Sequence, residues 1–261
     1  MRRIALLLLA LLVVGCGAGG EGRQSTLAGI IERGELVVGL EAEFRPFEYV
    51  DENGDIVGFD VDLVSLMAEE LGVKLRVVNL KWTALPQELL KGTIDVIASG
   101  MTATLERAKR ISFTDPYYET GLCLLLHKGS ADDVKSVRDL NDDRYLVVVK
   151  TGTTGEKAAK EFLPNARLLS LDKEGMCALE VAQGKAAAFV YDRHSVIKNH
   201  RRHAETTRTI LEPFTYEPYA MGIRKGDLDW WMWINQFLRQ IKKDGRYAEV
   251  RERYLGEDLG D

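Results

Sequence analysis

Short aliphatic runs alternate with helix-period patterns twice along this chain, and that alternation restricts the fold more than any other feature. Residues 36–40 read as a buried strand. Residues 60–71 place Leu63, Leu66, Met67, Ala68 and Leu71 on one helical face, with Gly72 as the stop. Residues 51–55 form the turn of a hairpin, 73–80 a strand, 85–91 a helix and 94–98 a strand. The pattern restarts with a strand at 145–149, a helix at 156–162, a strand at 167–171, a helix at 173–183 and a strand at 186–191. Near the C-terminus Trp230, Trp233, Ile234, Phe237, Leu238 and Ile241 recur at 3–4 spacing, the stripe of a core-facing helix rather than an aromatic binding box. Two βα series parted by residues 121–130 predict an α/β chain of two lobes, each a mostly parallel sheet flanked by helices. The chain's 261 residues, 46% hydrophobic and 29% charged, suffice for two such lobes.

The N-terminus reads as an address. Arg2 and Arg3 precede an apolar run, residues 4–14, that is too short to span a bilayer and matches a secretory signal. The run ends Val13-Val14-Gly15-Cys16, which resembles the bacterial lipobox. That resemblance implies a signal peptide at 1–15, a lipidated Cys16 and a flexible tether over 16–26 rich in Gly and small residues. An ordinary signal with an incidental cysteine is the alternative. The net charge of −5 argues against nucleic acid as a partner. Three cysteines make no disulfide framework, and no Cys/His spacing suits zinc, so no metal or cofactor is expected. Cys123 and Cys177 read as buried thiols, with a bond between them left open.

In open α/β sheets ligands sit beyond the carboxyl ends of the strands, so four stretches carry the functional interest. After residue 98 come Thr104, a natural N-cap, and Arg107 in the first helical turn. A cation there opposes the helix dipole; it either grips an anion or merely pairs with Glu106. After residue 149 come Gly152 and Gly155, which allow close backbone approach, and Thr153 and Glu156 at capping-box spacing. The phosphate-loop pattern is absent, so no nucleotide is implied. After residue 191 comes Asp192, which either holds an ammonium or caps the next helix. After residue 40 come Glu41, then Phe44 and Phe47 around Pro46; with Trp82 these aromatics are either pocket walls or core. An anion grip, a cation grip and aromatic walls together suit a small zwitterion.

At this point the sequence resembles the extracytoplasmic solute-binding proteins of ABC amino-acid importers, the polar amino-acid family 3. The resemblance spans residues 27–256 and rests on residues 34–39, 44–48, 58–63, 89–95, 100–107, 111–118 and 244–247. It implies a type II periplasmic-binding fold with lobe 1 at 27–121 plus 219–261 and lobe 2 at 122–218, crossing near 121–124 and 217–221. It implies that Arg107 clamps a ligand α-carboxylate, helped by the N–H groups of Thr102 and Thr154. It implies that Asp192 holds the α-amino group with the Gly100 carbonyl and Thr102 hydroxyl. Phe44 and Trp82 would sandwich the side chain, Glu41 would face it, and Met101 and Thr153 would complete the site. The expected activity is binding of a free amino acid, polar and with Glu41 and Glu119 pointing to a cationic side chain, for delivery to a membrane permease by a monomeric, exported lipoprotein. Catalysis is not expected. Cyclohexadienyl dehydratases share the fold and need a carboxyl general acid, for which Glu156 and Glu174 are the candidates. A ligand-sensing partner of a membrane receptor is the third class.

Overall fold

A computed structural model describes residues 25–256. The signal-peptide and Cys16 expectations lie outside the described residues, and among those described no helix is long and apolar enough to cross a membrane. The helix Thr26–Arg33 begins where the tether was expected to end.

The chain builds two lobes, each on its own five-stranded sheet. In the first, strands Lys74–Asn79, Glu35–Leu40 and Val96–Ile97 run parallel, and Gly222–Ile223 pairs antiparallel with both Val96–Ile97 and Ser112–Phe113. In the second, Arg167–Leu171, Leu146–Lys150 and Ala188–Asp192 run parallel, and Leu122–His127 pairs antiparallel with both Ala188–Asp192 and Thr207–Ile210. Four of the five strands in each sheet thus share one direction, the mostly parallel arrangement expected, and one strand in each, Gly222–Ile223 and Leu122–His127, runs against them. The cause is the connection between the lobes. Tyr118–Thr120 and Glu217–Tyr219 pair as an antiparallel ribbon, and each feeds a sheet directly. The parallel strands end at the cleft, so a strand arriving from the ribbon runs the other way, as the Asp192 to Leu122 pairing shows. Residues 122–124, expected at the first crossing, already belong to the second sheet.

The C-terminal stripe is core. In helix Leu228–Asp244, Trp230, Ile234, Phe237, Leu238 and Ile241 are buried, and the Trp230 indole N–H donates to the Asp95 carbonyl at 3.2 Å. Asp95 in turn accepts the Val37 N–H at 2.8 Å, which ties this helix to strand Glu35–Leu40 inside the first sheet. Cys123 and Cys177 are both free and buried, and burial pushes each thiol up to about 12. Truncating Trp230 removes a fully buried ring and its hydrogen bond. Trp230→Ala is expected to cost about 3–5 kcal/mol in chemical denaturation; a loss below ~1 kcal/mol would show that the stripe does not carry the lobe.

Candidate ligand-binding cleft

The four strand ends singled out from the sequence converge on one cavity between the lobes. Glu41 and Phe44 follow strand Glu35–Leu40, and Ser99, Gly100 and Thr102 follow Val96–Ile97. Lys150 ends strand Leu146–Lys150, with Thr153 and Thr154 just beyond it, and Asp192 ends strand Ala188–Asp192. Trp82 and Arg107 complete the lining. The lobes are closed: the Trp82 indole N–H reaches the Gly152 carbonyl at 3.0 Å, and Lys173 meets Glu43 at 3.1 Å. The enclosed space is about 20 Å³, room for a water molecule or two, so anything larger enters only after the lobes part.

Arg107 lies in the one-turn helix Leu105–Ala108, whose Thr104 cap accepts the Arg107 N–H at 3.1 Å. Glu106 pairs with Lys109 at 2.6 Å, so the alternative Arg107–Glu106 pairing is not realised. The guanidinium instead donates to the Thr102 carbonyl at 2.9 Å and, across the cleft, to the Gly152 carbonyl at 3.3 Å. It lies over the Trp82 ring, 5.1 Å from the centroid. Burial lowers its pKa, an effect opposed by the negative charges of Glu217 and Asp192.

Asp192 occupies the N-cap position of helix Arg193–Arg202 but makes no side-chain cap bond. Its carboxylate accepts the Tyr219 hydroxyl at 2.5 Å. Burial, offset in part by that hydrogen bond and reinforced by Glu217, pushes the Asp192 carboxyl up to about 7. Gly100 has φ +50°, and a Cβ there would stand 2.7 Å from the Phe44 ring. Its N–H donates to Asp60 at 2.7 Å, which pins the loop against the wall. Phe44 stacks on Phe47 at 5.1 Å and meets Tyr219 edge-on at 6.2 Å.

Two expectations fail on geometry. The Met101 side chain does not line the cavity; it is buried in the first lobe with Val37, Leu85, Leu89, Ile94, Ile97 and Ile111. Glu119 lies on the ribbon, bonded to the Tyr216 hydroxyl at 2.6 Å, outside the lining. Nor does either proposed general acid face the cavity. Glu156 accepts the Gly152 N–H at 2.7 Å and Lys160 at 2.8 Å, and its pKa is lowered despite partial burial. Glu174 is buried behind the cleft against Asn199 and Lys198.

Sequence reading gave no role to Lys150, Glu48, Ser99 and Tyr191, which also line the cavity. Lys150 and Ser99 stand at the strand ends already flagged, so position alone was a usable signal. Glu48 is buried and accepts the Ser99 hydroxyl at 2.7 Å; Ser99 in turn accepts the Glu41 N–H at 3.0 Å. Burial, then the neighbouring Asp60, holds the Glu48 carboxyl well above the usual range.

With this geometry in hand, comparison with known proteins is decisive. The sequence profile of the bacterial extracellular solute-binding proteins, family 3, matches residues 36–257. The chain belongs to that family. Among its relatives, the ABC transporter glutamine-binding protein GlnH of Bacillus subtilis is 32% identical, covering 97% of this chain and 95% of GlnH. Among solved structures, the ancestral amino acid-binding protein AncCDT-1, described as a precursor of cyclohexadienyl dehydratase, is 40% identical with a TM-score of 0.81. The match covers 88% of this chain and 99% of that one. A mutant of ArgBP from T. maritima is 37% identical with a TM-score of 0.82, again over 88% and 99%. These matches confirm the two-lobe α/β fold expected for a family 3 protein.

The raised Asp192 pKa carries a pH signature. Between its ordinary value near 3.8 and about 7 the folded protein holds a proton there that the unfolded chain releases, so this group lowers stability as pH rises through that window. Asp192→Asn removes the dependence. Relative to wild type the variant is expected to gain stability steadily from pH 4 to pH 7 in denaturation experiments; a difference independent of pH would contradict the assignment.

Proposed function

We propose that this chain binds a free amino acid outside the cytoplasm and hands it to the permease of an ABC transporter. The observation that carries the reading is that Arg107 and Asp192 line one cavity from opposite lobes. Arg107 takes the ligand carboxylate with the N–H groups of Thr102 and Thr154, and Asp192 takes the ammonium with the Gly100 carbonyl. Phe44 and Trp82 flank the side chain, and Thr153 supports the turn through its bond to the Lys150 carbonyl at 2.7 Å. A zwitterion bridging the lobes favours the closed form over the open one, and only that difference drives closure. The hinge is the ribbon of Tyr118–Thr120 with Glu217–Tyr219, dividing lobe 1 (27–121 plus 219–261) from lobe 2 (122–218).

A binder rather than an enzyme is favoured because relatives such as GlnH of Bacillus subtilis and ArgBP from T. maritima are binding proteins, and neither Glu156 nor Glu174 lines the cavity. Arg107→Ala is expected to weaken amino-acid binding by at least ~30-fold in calorimetry, the cost of removing one partner of a buried charge pair, while circular dichroism stays unchanged. Near-native affinity in Arg107→Ala, or turnover of arogenate by the wild type, would overturn the reading.

Cys16 completes the proposal as the site of the lipid anchor that keeps the monomeric protein beside its permease. Cys16→Ser is expected to move the protein from the membrane pellet to the soluble fraction; a wild type already soluble would refute the anchor.

A further inference from the structure

Two buried carboxyls, Glu48 and Asp60, lie against each other in the first-lobe wall of the cleft. Each is 1% exposed; Glu48 lines the cavity, and Asp60 stands in the first turn of helix Phe59–Leu71. The two side chains are in hydrogen-bonding contact. One oxygen of each has donors. Glu48 Oε1 accepts the Ser99 hydroxyl at 2.7 Å. Asp60 Oδ2 accepts the Gly100 N–H and the Tyr117 hydroxyl, both at 2.7 Å. Glu48 Oε2 and Asp60 Oδ1 are buried and receive no donor from the protein. Lys150 faces Glu48 from the second lobe, but its ammonium bonds Glu41 instead. Burial, then the neighbouring acid, pushes the Glu48 carboxyl well above its ordinary value, and burial pushes Asp60 up to about 6.

We propose that Glu48 is a positioning residue that works as a neutral carboxylic acid: it donates its proton to Asp60 and so clasps the two ligand loops of the first lobe, residues 41–48 and 99–102, to each other and to the hinge. The inference rests on the amino-acid-binding reading above and goes beyond it. Two ionised carboxylates are acceptors only and cannot bond each other. A single proton between them satisfies both remaining oxygens and leaves one buried negative charge instead of two. The proton belongs on Glu48, because Asp60 already accepts two donors that favour its ionised form, against one for Glu48. The network then runs unbroken. The Glu41 N–H donates to Ser99 at 3.0 Å, Ser99 to Glu48, and Glu48 to Asp60. Asp60 also takes Gly100, from the loop that carries Thr102, and Tyr117, the residue before the hinge strand Tyr118–Thr120. Tyr247 of helix Arg246–Leu255 backs this with a bond to the Tyr117 carbonyl at 2.6 Å. The other titratable groups facing the pair are Lys150 and His194, which packs on the Phe47 ring with centroids 5.5 Å apart. Loss of the proton sets two buried carboxylates against each other and drives the loops apart.

The test compares the wild type with Glu48→Gln, whose amide NH₂ stands in for the O–H donor, and with Glu48→Ala, which has none. Infrared difference spectra of wild type minus Glu48→Gln at pH 7 are expected to show a protonated-carboxyl band; a carboxylate band in its place overturns the proposal. The folded wild type holds a proton that the unfolded chain, with an ordinary value of 4.5, releases. Stability of the wild type relative to Glu48→Gln is therefore expected to fall between about pH 6 and pH 7, by about tenfold in the folding equilibrium constant. A difference independent of pH overturns the proposal. The positioning role is read by calorimetry with glutamine, histidine, arginine and lysine. For any of these that binds, Glu48→Ala is expected to lose at least about tenfold in affinity, and Glu48→Gln to bind at least about fivefold more tightly than Glu48→Ala. Equal losses in the two variants, or none in Glu48→Ala, overturn the role and leave amino-acid binding standing. Should Glu48→Ala fail to fold, the infrared band, the pH slope and retained binding in Glu48→Gln decide, and loss of binding in Glu48→Gln counts against the proposal. Failure of all four amino acids to bind the wild type would overturn the binding reading and the positioning role with it, while the band and the slope still decide where the proton sits.

Discussion

Two opposite charges held in one buried space, one on each lobe, govern everything else in this molecule. An ion removed from water is costly unless an opposite charge and hydrogen bonds replace the solvent. Arg107 meets that demand with backbone carbonyls on both sides of the cleft, and Asp192 with the Tyr219 hydroxyl and a raised proton affinity. These arrangements serve, but neither supplies a full counter-ion. On the reading proposed here, a zwitterion supplies both at once. The free energy of closing the lobes and of binding the ligand then become one quantity, which is how a hinge protein reports occupancy to a permease.

The fold is the device that places those charges. Parallel strands deliver their carboxyl ends to the cleft from both lobes, and the antiparallel strands begin there because the chain enters each sheet from the ribbon. A side chain just past a parallel strand therefore faces the opposite lobe whichever series it comes from. Glu41, Gly100, Lys150 and Asp192 are all placed this way. Behind them, the bonds from Glu41 through Ser99 to Glu48, and from Gly100 to Asp60, hold the first-lobe loops in position.

Much of this was legible in the sequence because strand-end position is a local property. The βα alternation located all four loops, and the 3–4 spacing of Trp230, Ile234, Phe237, Leu238 and Ile241 located the C-terminal core helix. What was not legible depends on pairing between distant segments. Met101 sits among cavity residues in sequence, yet its side chain packs in the core while the next residue, Thr102, bridges to the distant Tyr219. The one reversed strand in each sheet follows from where the ribbon enters, which no single segment encodes. Glu41 looked like a free acid until the fold brought Lys150, 109 residues away, against it. Asp192 is equally a cap or a ligand group in sequence; in the fold its side chain makes no cap bond and accepts the Tyr219 hydroxyl instead.

The central claim is most directly tested on the unaltered protein. Calorimetry would compare one amino acid that binds with its deaminated acid and its decarboxylated amine. If guanidinium and carboxylate grip opposite ends of one molecule, each analogue loses at least about a hundredfold in affinity, and neither rescues the other when both are added. An analogue that binds as tightly as the parent amino acid would contradict the account.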